Sequence, residues 1–251
     1  MAKMPMTAPV TMIPAVVAQI VNLLYNIVDR IYIGHIPGIG AAALTGVGLF
    51  TPILMLLNAF AMLIGAGGAP RTAIAMGQGD KDQAEKIVSN SFTMLLIFSV
   101  LLTVVFYAAA PALLRMFGAS DATLPYALAY SRIYILGSVC VLIVLGMNPF
   151  ITAQGFAKIS MLTTVIGAVI NIVLDPILIF LFGLGVRGAA IATVLGTTLQ
   201  CLIICSHLFR KRCRLKLAKP FRMGKAIRKI FVIGIGASLL DLGTVVLSTI
   251  T

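Results

Sequence analysis

The sequence predicts an all-α membrane protein, built as a polytopic bundle of seven transmembrane helices. Of its 251 residues, 60% are hydrophobic and only 10% are charged, whereas a soluble domain carries roughly 25% charged residues. The apolar residues form long runs, and a helix that crosses a bilayer uses about 20 of them. Because backbone inside lipid must satisfy its own hydrogen bonds, we expect each run to be helical. The composition therefore excludes a water-soluble globule.

Charged residues, glycines and prolines divide the chain into seven predicted spans. Pro111 marks the end of the third span, and Gly183-Leu184-Gly185 forms a tight turn between the fifth and sixth. A charged segment, residues 79–86, begins the helix of the third span. The predicted spans are 10–34, 41–68, 88–110, 124–147, 159–182, 187–208 and 227–250.

The distribution of Lys and Arg predicts the orientation, since cytoplasmic loops are enriched in both. A cytoplasmic N-terminus places fifteen of the nineteen on the inner side, ten of them between Arg210 and Lys229. We therefore expect a multi-pass protein of the cell (inner) membrane. We interpret the basic segment mainly as a topology determinant, with contact to anionic membrane lipids as the alternative. Because it adjoins a membrane span, we expect no nucleic-acid partner.

The residues that serve most enzymes and metal sites are sparse. The two histidines lie at opposite ends of spans, and no catalytic triad, P-loop or HExxH motif occurs. The four cysteines form no CxxC pair, and we interpret those in apolar runs as small helix residues. We therefore predict a protein that is not an enzyme and needs no cofactor.

The first span contains a stripe of polar residues at spacings of 3, 4 and 3, which places them on one helix face: Gln19, Asn22, Asn26 and Asp29. A carboxylate deep in a span costs about 2.5–3.5 kcal/mol on insertion scales. The stripe therefore indicates a water-filled cavity or a polar partner helix. The alternative is that Asp29 lies near the headgroups and pairs with Arg30.

The fifth span contains a second one-face stripe at spacings of 3, 4 and 4: Thr164, Gly167, Asn171 and Asp175. Pro176 follows, and its missing N–H leaves the carbonyl of Ile172 without its usual partner. A carboxylate, an amide and a carbonyl together are typical of a proton or hard-cation site, since Na⁺ prefers oxygen ligands. A structural hydrogen-bond cluster at a kink is the alternative.

Two further spans carry polar side chains that repeat at the spacing of a helix face. The sixth has a polar face, formed by Thr193, Thr197 and Gln200. It also has a small-residue face that predicts close helix packing, formed by Gly188, Ala192 and Gly196. The fourth has a tyrosine every four residues, Tyr126, Tyr130 and Tyr134. Tyr126 suits an interfacial anchor, and either anchoring or a deeper contact with the fifth-span carboxylate remains open for the other two.

Four segments resemble the MATE (multidrug and toxic compound extrusion) transporters, most closely their prokaryotic DinF-like branch. Residues 25–34, YNIVDRIYIG, resemble the first family helix, and residues 167–176, GAVINIVLDP, resemble the fifth. Residues 185–193, GVRGAAIAT, are similar to the start of the sixth. Asn148-Pro149, together with Ala153-Gln154-Gly155, resembles the loop before the fifth helix of the family. The resemblance extends over essentially the whole chain.

This resemblance implies twelve helices in two six-helix lobes around a central cavity. Residues 1–208 would form the N-terminal lobe, 209–226 a basic cytoplasmic inter-lobe loop, and 227–251 the first helix of an incomplete C-terminal lobe. We therefore expect a truncated chain of a twelve-helix transporter. Its partners would be the missing C-terminal lobe or a second copy in a homo-oligomer.

The resemblance also implies the activity, export of small cationic, amphipathic drugs in exchange for H⁺ or Na⁺. Asp29 and Asp175 match the acidic positions of the family, Asn171 matches the amide of helix five, and Thr193 and Tyr130 match neighbours of the cation site. A Na⁺ ion would bind at Asp29, Asp175 and Asn171. We expect the substrate cavity to be lined by Gln19, Asn22, Asn26, Tyr134 and Thr197.

The physical hypothesis is that proton or Na⁺ binding to two inward-facing carboxylates lets helices one and five repack, with Pro176 as a bend. A flippase for lipid-linked precursors is an alternative within transport, but it needs cationic residues in its cavity, and only Arg30 and Arg132 could approach one. An inactive or half-size membrane module is the alternative outside transport.

Overall fold

The computed structural model describes residues 8–209 together with Leu215, Gly234 and Ile235. The described part is helical, as predicted, and no strand occurs within it. Seven α-helices and one π-helical segment follow in chain order. They are α1 (Ala8–Gly34), α2 (Gly40–Gly48), α3 (Thr51–Gly77), α4 (Lys81–Met116), α5 (Leu124–Ala153), α6 (Ala157–Pro176), the π segment (Ile177–Leu181) and α7 (Val186–Phe209).

These elements form six stretches that are long and apolar enough to cross a membrane, with α2 and α3 together making the second and α6 with the π segment the fifth. The protein is therefore a multi-pass membrane protein, and the first six predicted spans are confirmed as membrane-length helices. The predicted seventh span, 227–250, lies outside the described residues except for Gly234 and Ile235, which are helical. Of the predicted inter-lobe loop, 209–226, only Phe209 and Leu215 are described.

Two features of the helices differ from the prediction. The second span is broken between α2 and α3, because Pro52 lies in the first turn of α3, where its missing N–H costs no hydrogen bond. Pro111 does not end the third span, since α4 continues to Met116. A proline this near a helix end removes a single backbone bond. At the other end of α4, Asp80 caps the helix as its carboxylate accepts from the Gln83 N–H at 2.9 Å.

The packing order places α6 between α1 and α7, while α5 contacts α3, α4 and α7. One side of α1 packs on α6, and its other side remains uncovered by the described helices. That uncovered side is apolar: Val16, Ile20, Leu23, Leu24, Ile27 and Ile31 are each about half exposed. The order α1–α6–α7 brings the polar stripes predicted for the first, fifth and sixth spans together.

The small-residue face of α7 makes the close contact that the sequence predicts. A side chain added at Gly188 would meet the backbone of Leu178 at 2.7 Å, and one at Gly196 would meet the Gly167 carbonyl at 2.9 Å. The tight turn before α7 is also confirmed, since Gly183 and Gly185 have φ angles of 64° and 55°. These left-handed angles favour glycine. Glycine thus sets the position of α7 against α6 and the π segment.

Candidate cation-binding site

Two carboxyl groups from different helices meet in the interior of the bundle. Asp29 of α1 is 8% exposed and Asp175 of α6 is fully buried. Their carboxyl groups lie within hydrogen-bonding reach of each other. The Oδ1 atom of each is buried and has no hydrogen-bond partner among the described residues. Two adjacent buried carboxylates repel each other, so this arrangement favours uptake of a proton or another cation.

The headgroup alternative for Asp29 does not match this geometry. Arg30 is exposed while Asp29 is buried, and the structure contains no ion pair between them within its described part. Asp29 instead faces α6, because its side of α1 is the side that packs there.

Asn171 connects Asp175 to α7, and its amide can form hydrogen bonds in two orientations. In the first, Nδ2 donates to the Thr193 hydroxyl at 3.2 Å, and that hydroxyl donates to the Ala189 carbonyl at 3.0 Å. In the second, Nδ2 donates to Asp175 Oδ2 at 3.1 Å, and the amide oxygen accepts from the Thr193 hydroxyl at 3.2 Å.

The second orientation satisfies both ends of the amide, because in the first the amide oxygen faces the Asp175 carboxyl and Nδ2 faces the Thr193 N–H. The amide N–H of Asn171 therefore faces Asp175, which suits an ionised carboxylate. Asn171 thus connects this carboxyl to Thr193 on α7.

A small cavity of about 20 Å³ adjoins this cluster, and a cavity of about 10–15 Å³ is enough for one water molecule. Its lining is formed by Tyr25, Gly167, Ala168, Asn171, Thr193 and Thr197. Among the predicted substrate-lining residues, Thr197 therefore lies at the buried cluster, where its hydroxyl also donates to the Thr193 carbonyl at 2.7 Å. Oxygen-rich groups of this kind are the ligands that hard cations prefer.

Tyr25 is a site residue that the sequence analysis did not select. It lines the cavity and lies near both Asp29 and Asp175. The available signal was its position four residues before Asp29, one helical turn away on the same face. Gly167 was placed in the polar stripe, but it serves packing, since the Gln200 side chain of α7 occupies the space beside its Cα.

The tyrosines of α5 lie next to the cluster. The hydroxyl of Tyr130 approaches Thr193, and its ring stacks on Tyr134 with centroids 6.0 Å apart. Both rings pack edge-on against Phe50, at 5.7 Å and 5.4 Å. Tyr126 lies in the first turn of α5, in the lining of a separate cavity. Tyr130 thus belongs to the buried cluster, while Tyr134 joins it through aromatic packing.

The polar stripe of the first span is divided by the structure. Asp29 is buried against α6, while Gln19 and Asn26 are exposed and Asn22 is half-buried. The Asn26 amide donates to the Asn22 carbonyl of its own helix at 2.7 Å. The four positions share one face of the helix, so the structure divides the stripe along the length of α1, with Asp29 near its end covered and the earlier positions open. Gln19, Asn22 and Asn26 therefore do not share the pocket of the carboxylates.

Transition metals have no ready site here. No three His, Cys, Asp or Glu side chains converge within the described ranges. A cation at the paired carboxylates would be held by Asp29 and Asp175, with the amide of Asn171 beside them. This donor set suits Na⁺ or a proton better than a soft metal.

Replacing Thr193 by Val tests the contact between Asn171 and α7. The variant removes the hydroxyl that the buried amide bonds in both orientations, so we expect a loss of about 1–3 kcal/mol in stability. Thr72→Val is the matched control, because Thr72 is also buried but its hydroxyl bonds the Gly68 carbonyl of its own helix. Thermal unfolding in detergent measures both variants. Equal effects would show that Asn171 does not depend on Thr193.

The family model described as MatE matches residues 14–177. The multidrug export protein MepA of Staphylococcus haemolyticus (strain JCSC1435) is 29% identical over 232 residues, covering 91% of this chain and 50% of that protein. The probable multidrug resistance protein YoeA of Bacillus subtilis (strain 168) is 26% identical over 215 residues, covering 84% and 46%. The chain thus spans about half the length of these curated relatives.

Solved structures give the same half-length match. An inward-facing multidrug resistance MATE family transporter of the MOP superfamily aligns with a TM-score of 0.84 at 31% identity, over 90% of this chain and 51% of that chain. A MOP superfamily transporter from Pyrococcus furiosus, described as having a reversed polarity of its binding pocket, aligns with a TM-score of 0.85 at 32% identity, over 92% and 51%.

Proposed function

Because the chain belongs to the MatE family, whose members are transporters, we propose that it forms the ion-coupling half of a multidrug exporter. The exporter moves small cationic, amphipathic molecules outward in exchange for H⁺ or Na⁺. Its relatives MepA and YoeA are named for multidrug export and resistance. Transport of this kind involves no covalent chemistry on the substrate.

The observation that carries the proposal is the pair of buried carboxyl groups, Asp29 and Asp175, on two different helices. When both are ionised they repel each other across the contact between α1 and α6. A proton or Na⁺ between them removes this repulsion, so α1 and α6 pack differently in the loaded and empty states. An ion can drive drug movement only through such a difference in affinity between two states.

The backbone next to Asp175 is suited to repacking. The π segment begins directly after Pro176, and π-type turns are frequent at functional sites because their backbone bonds are easily rearranged. Asp175 is therefore attached to a stretch of α6 that can change its turn geometry. Asn171, which donates to Asp175 and accepts from Thr193, connects this stretch to α7.

We further propose that the N-terminus faces the cytoplasm of a cell membrane. A cytoplasmic N-terminus puts fifteen of the nineteen Lys and Arg residues on the inner side, ten of them between Arg210 and Lys229, and leaves Arg30, Arg115, Arg132 and Arg187 towards the outer side. This asymmetry is the pattern of the positive-inside rule. In this orientation the drug leaves towards the loops of low positive charge.

Export of anionic lipid-linked precursors has less support. The buried cluster contains carboxyl, amide and hydroxyl groups, and no Lys or Arg lines its cavity. Arg30 is exposed, and Arg132 lines a groove on another side of α5. An anionic headgroup at the buried carboxylates would be repelled, so a cationic substrate or ion is the better match.

The proposal is tested with a chimera in which residues 1–208 replace the aligned half of the S. haemolyticus MepA relative. In inverted vesicles, we expect an acid-inside or high-Na⁺-inside gradient to drive uptake of a cationic dye such as ethidium. A proton ionophore and a sodium ionophore, added separately, identify the coupling ion by which of them stops uptake. Dye uptake that persists without either gradient, or transport of a lipid pyrophosphate instead of the dye, would refute the proposal.

A further inference from the structure

A groove of about 480 Å³ lies along α5, away from the buried carboxyl groups. Two arginines from different helices line it, and every other lining residue is apolar. We call it the arginine groove, lined by Pro125, Leu128, Ala129, Arg132, Ile133 and Arg187. It adjoins a larger cavity of about 780 Å³, whose lining shares Pro125, Ala129 and Arg187 and contains no carboxylate.

Arg132 is placed where a positive charge needs a partner. It lies eight residues after the start of α5, which is about 12 Å along the helix, and it is exposed. Leu136, one turn further on, is 63% exposed, so this side of α5 is not covered by the described helices. A charged residue inside a span is costly unless it is paired or reaches the headgroups.

The described part of the protein supplies no carboxylate for either arginine. No Asp or Glu lines the arginine groove, and the ion pair found among residues 8–209 joins Lys81 to Glu85 at the other end of the bundle. Arg132 does have an aromatic contact, with its guanidinium carbon 5.9 Å from the centroid of the Tyr107 ring. A ring on one face leaves the edges of the guanidinium free to donate hydrogen bonds.

We propose that the arginine groove binds an anionic phospholipid of the leaflet that borders this end of the bundle. The phosphate lies between Arg132 and Arg187, since guanidinium groups bind phosphate oxygens in a bidentate manner. One acyl chain follows the apolar surface of Leu128, Ile133 and Leu136. A phosphatidylglycerol headgroup fits the two positive charges, whereas the choline cation of phosphatidylcholine would be repelled by the second arginine.

This lipid site stands apart from the proposed export function, because it uses neither Asp29 nor Asp175. Its test is therefore a binding measurement on the 251-residue chain. The protein is reconstituted with a phosphatidylglycerol that carries a photoreactive group near its headgroup, and the crosslinked peptides are identified by mass spectrometry. We expect crosslinks to residues 125–133 with phosphatidylglycerol, and about tenfold fewer with the matching phosphatidylcholine probe.

Substitution of the arginines makes the test specific. We expect R132Q/R187Q to reduce the phosphatidylglycerol crosslinks in 125–133 by about tenfold, and R132K/R187K to retain a substantial part. R115Q is the matched control, because Arg115 is exposed at the same end of the bundle but lies outside the groove. Crosslinks in the basic segment 210–229 should be unchanged in all variants, which shows that the protein is inserted and intact.

Two results would overturn the proposal. One is equal labelling of residues 125–133 by the two lipid probes, and the other is full labelling in R132Q/R187Q. The first would mean that the groove does not select the anionic headgroup, and the second that Arg132 and Arg187 do not hold it.

Discussion

In the chimeric exporter, we expect Asp175→Asn to reduce ion-driven dye uptake by about tenfold or more, since the coupling ion loses its charged ligand. The substitution keeps the size of the side chain and imitates its neutral state, so the bundle should fold. Repulsion with Asp29 is then absent whether or not an ion is present. Because the two packing states then no longer differ in their affinity for the ion, an ion gradient can no longer drive movement of the drug.

Uptake is measured in inverted vesicles, with expression and detergent stability recorded for each variant. Asp121→Asn is the matched control, because Asp121 is an exposed acid in the loop between α4 and α5. We expect this control to transport at the unsubstituted rate. If Asp175→Asn transports equally well, Asp175 does not couple the ion, and the interpretation of the carboxyl pair is wrong even if dye export continues.

We expect Gly188→Ala to destabilise the protein by about 1–3 kcal/mol or more, the usual cost of overpacking. The added methyl group would lie 2.7 Å from the carbonyl carbon and oxygen of Leu178 and 2.9 Å from the backbone nitrogen of Ile179. These are backbone atoms of the π segment, so no side chain can rotate away. α7 would have to shift from α6, which also displaces Thr193 from Asn171.

Thermal unfolding in detergent measures this effect, and a loss of this size corresponds to about 5 °C in the midpoint. Gly77→Ala is the control, because the last residue of α3 has no atom within 4 Å of an added Cβ. Alanine there should be neutral or slightly stabilising, as it favours the helical backbone. An unchanged midpoint for Gly188→Ala would show that the contact between α7 and the π segment is loose.

The helices of this protein could be predicted well from the sequence, and their ends less well. Apolar runs are forced to be helical in lipid, so the six described spans followed from composition. The break between α2 and α3 and the continuation of α4 past Pro111 did not follow, because the effect of a proline depends on its position in the helix. Pro52 stands in a first turn, while Pro111 stands near a last one.

The candidate site was predicted in part. Asp29, Asn171, Asp175, Thr193 and Tyr130 were selected because polar groups are costly in apolar spans and because their segments resemble the MATE transporters. The structure brings these five together. It leaves Gln19 and Asn26 outside the cluster, and it adds Tyr25.

By itself, then, the sequence determined that this chain spans a membrane and which helices carry polar groups within their spans. Both follow from the free-energy cost of burying each polar residue in lipid, which depends on the residue type alone. The sequence did not determine which of those groups meet. A helical spacing specifies a face, but only the packing of α6 between α1 and α7 decides which part of the face is covered. The meeting of Asp29 with Asp175 is a property of that packing.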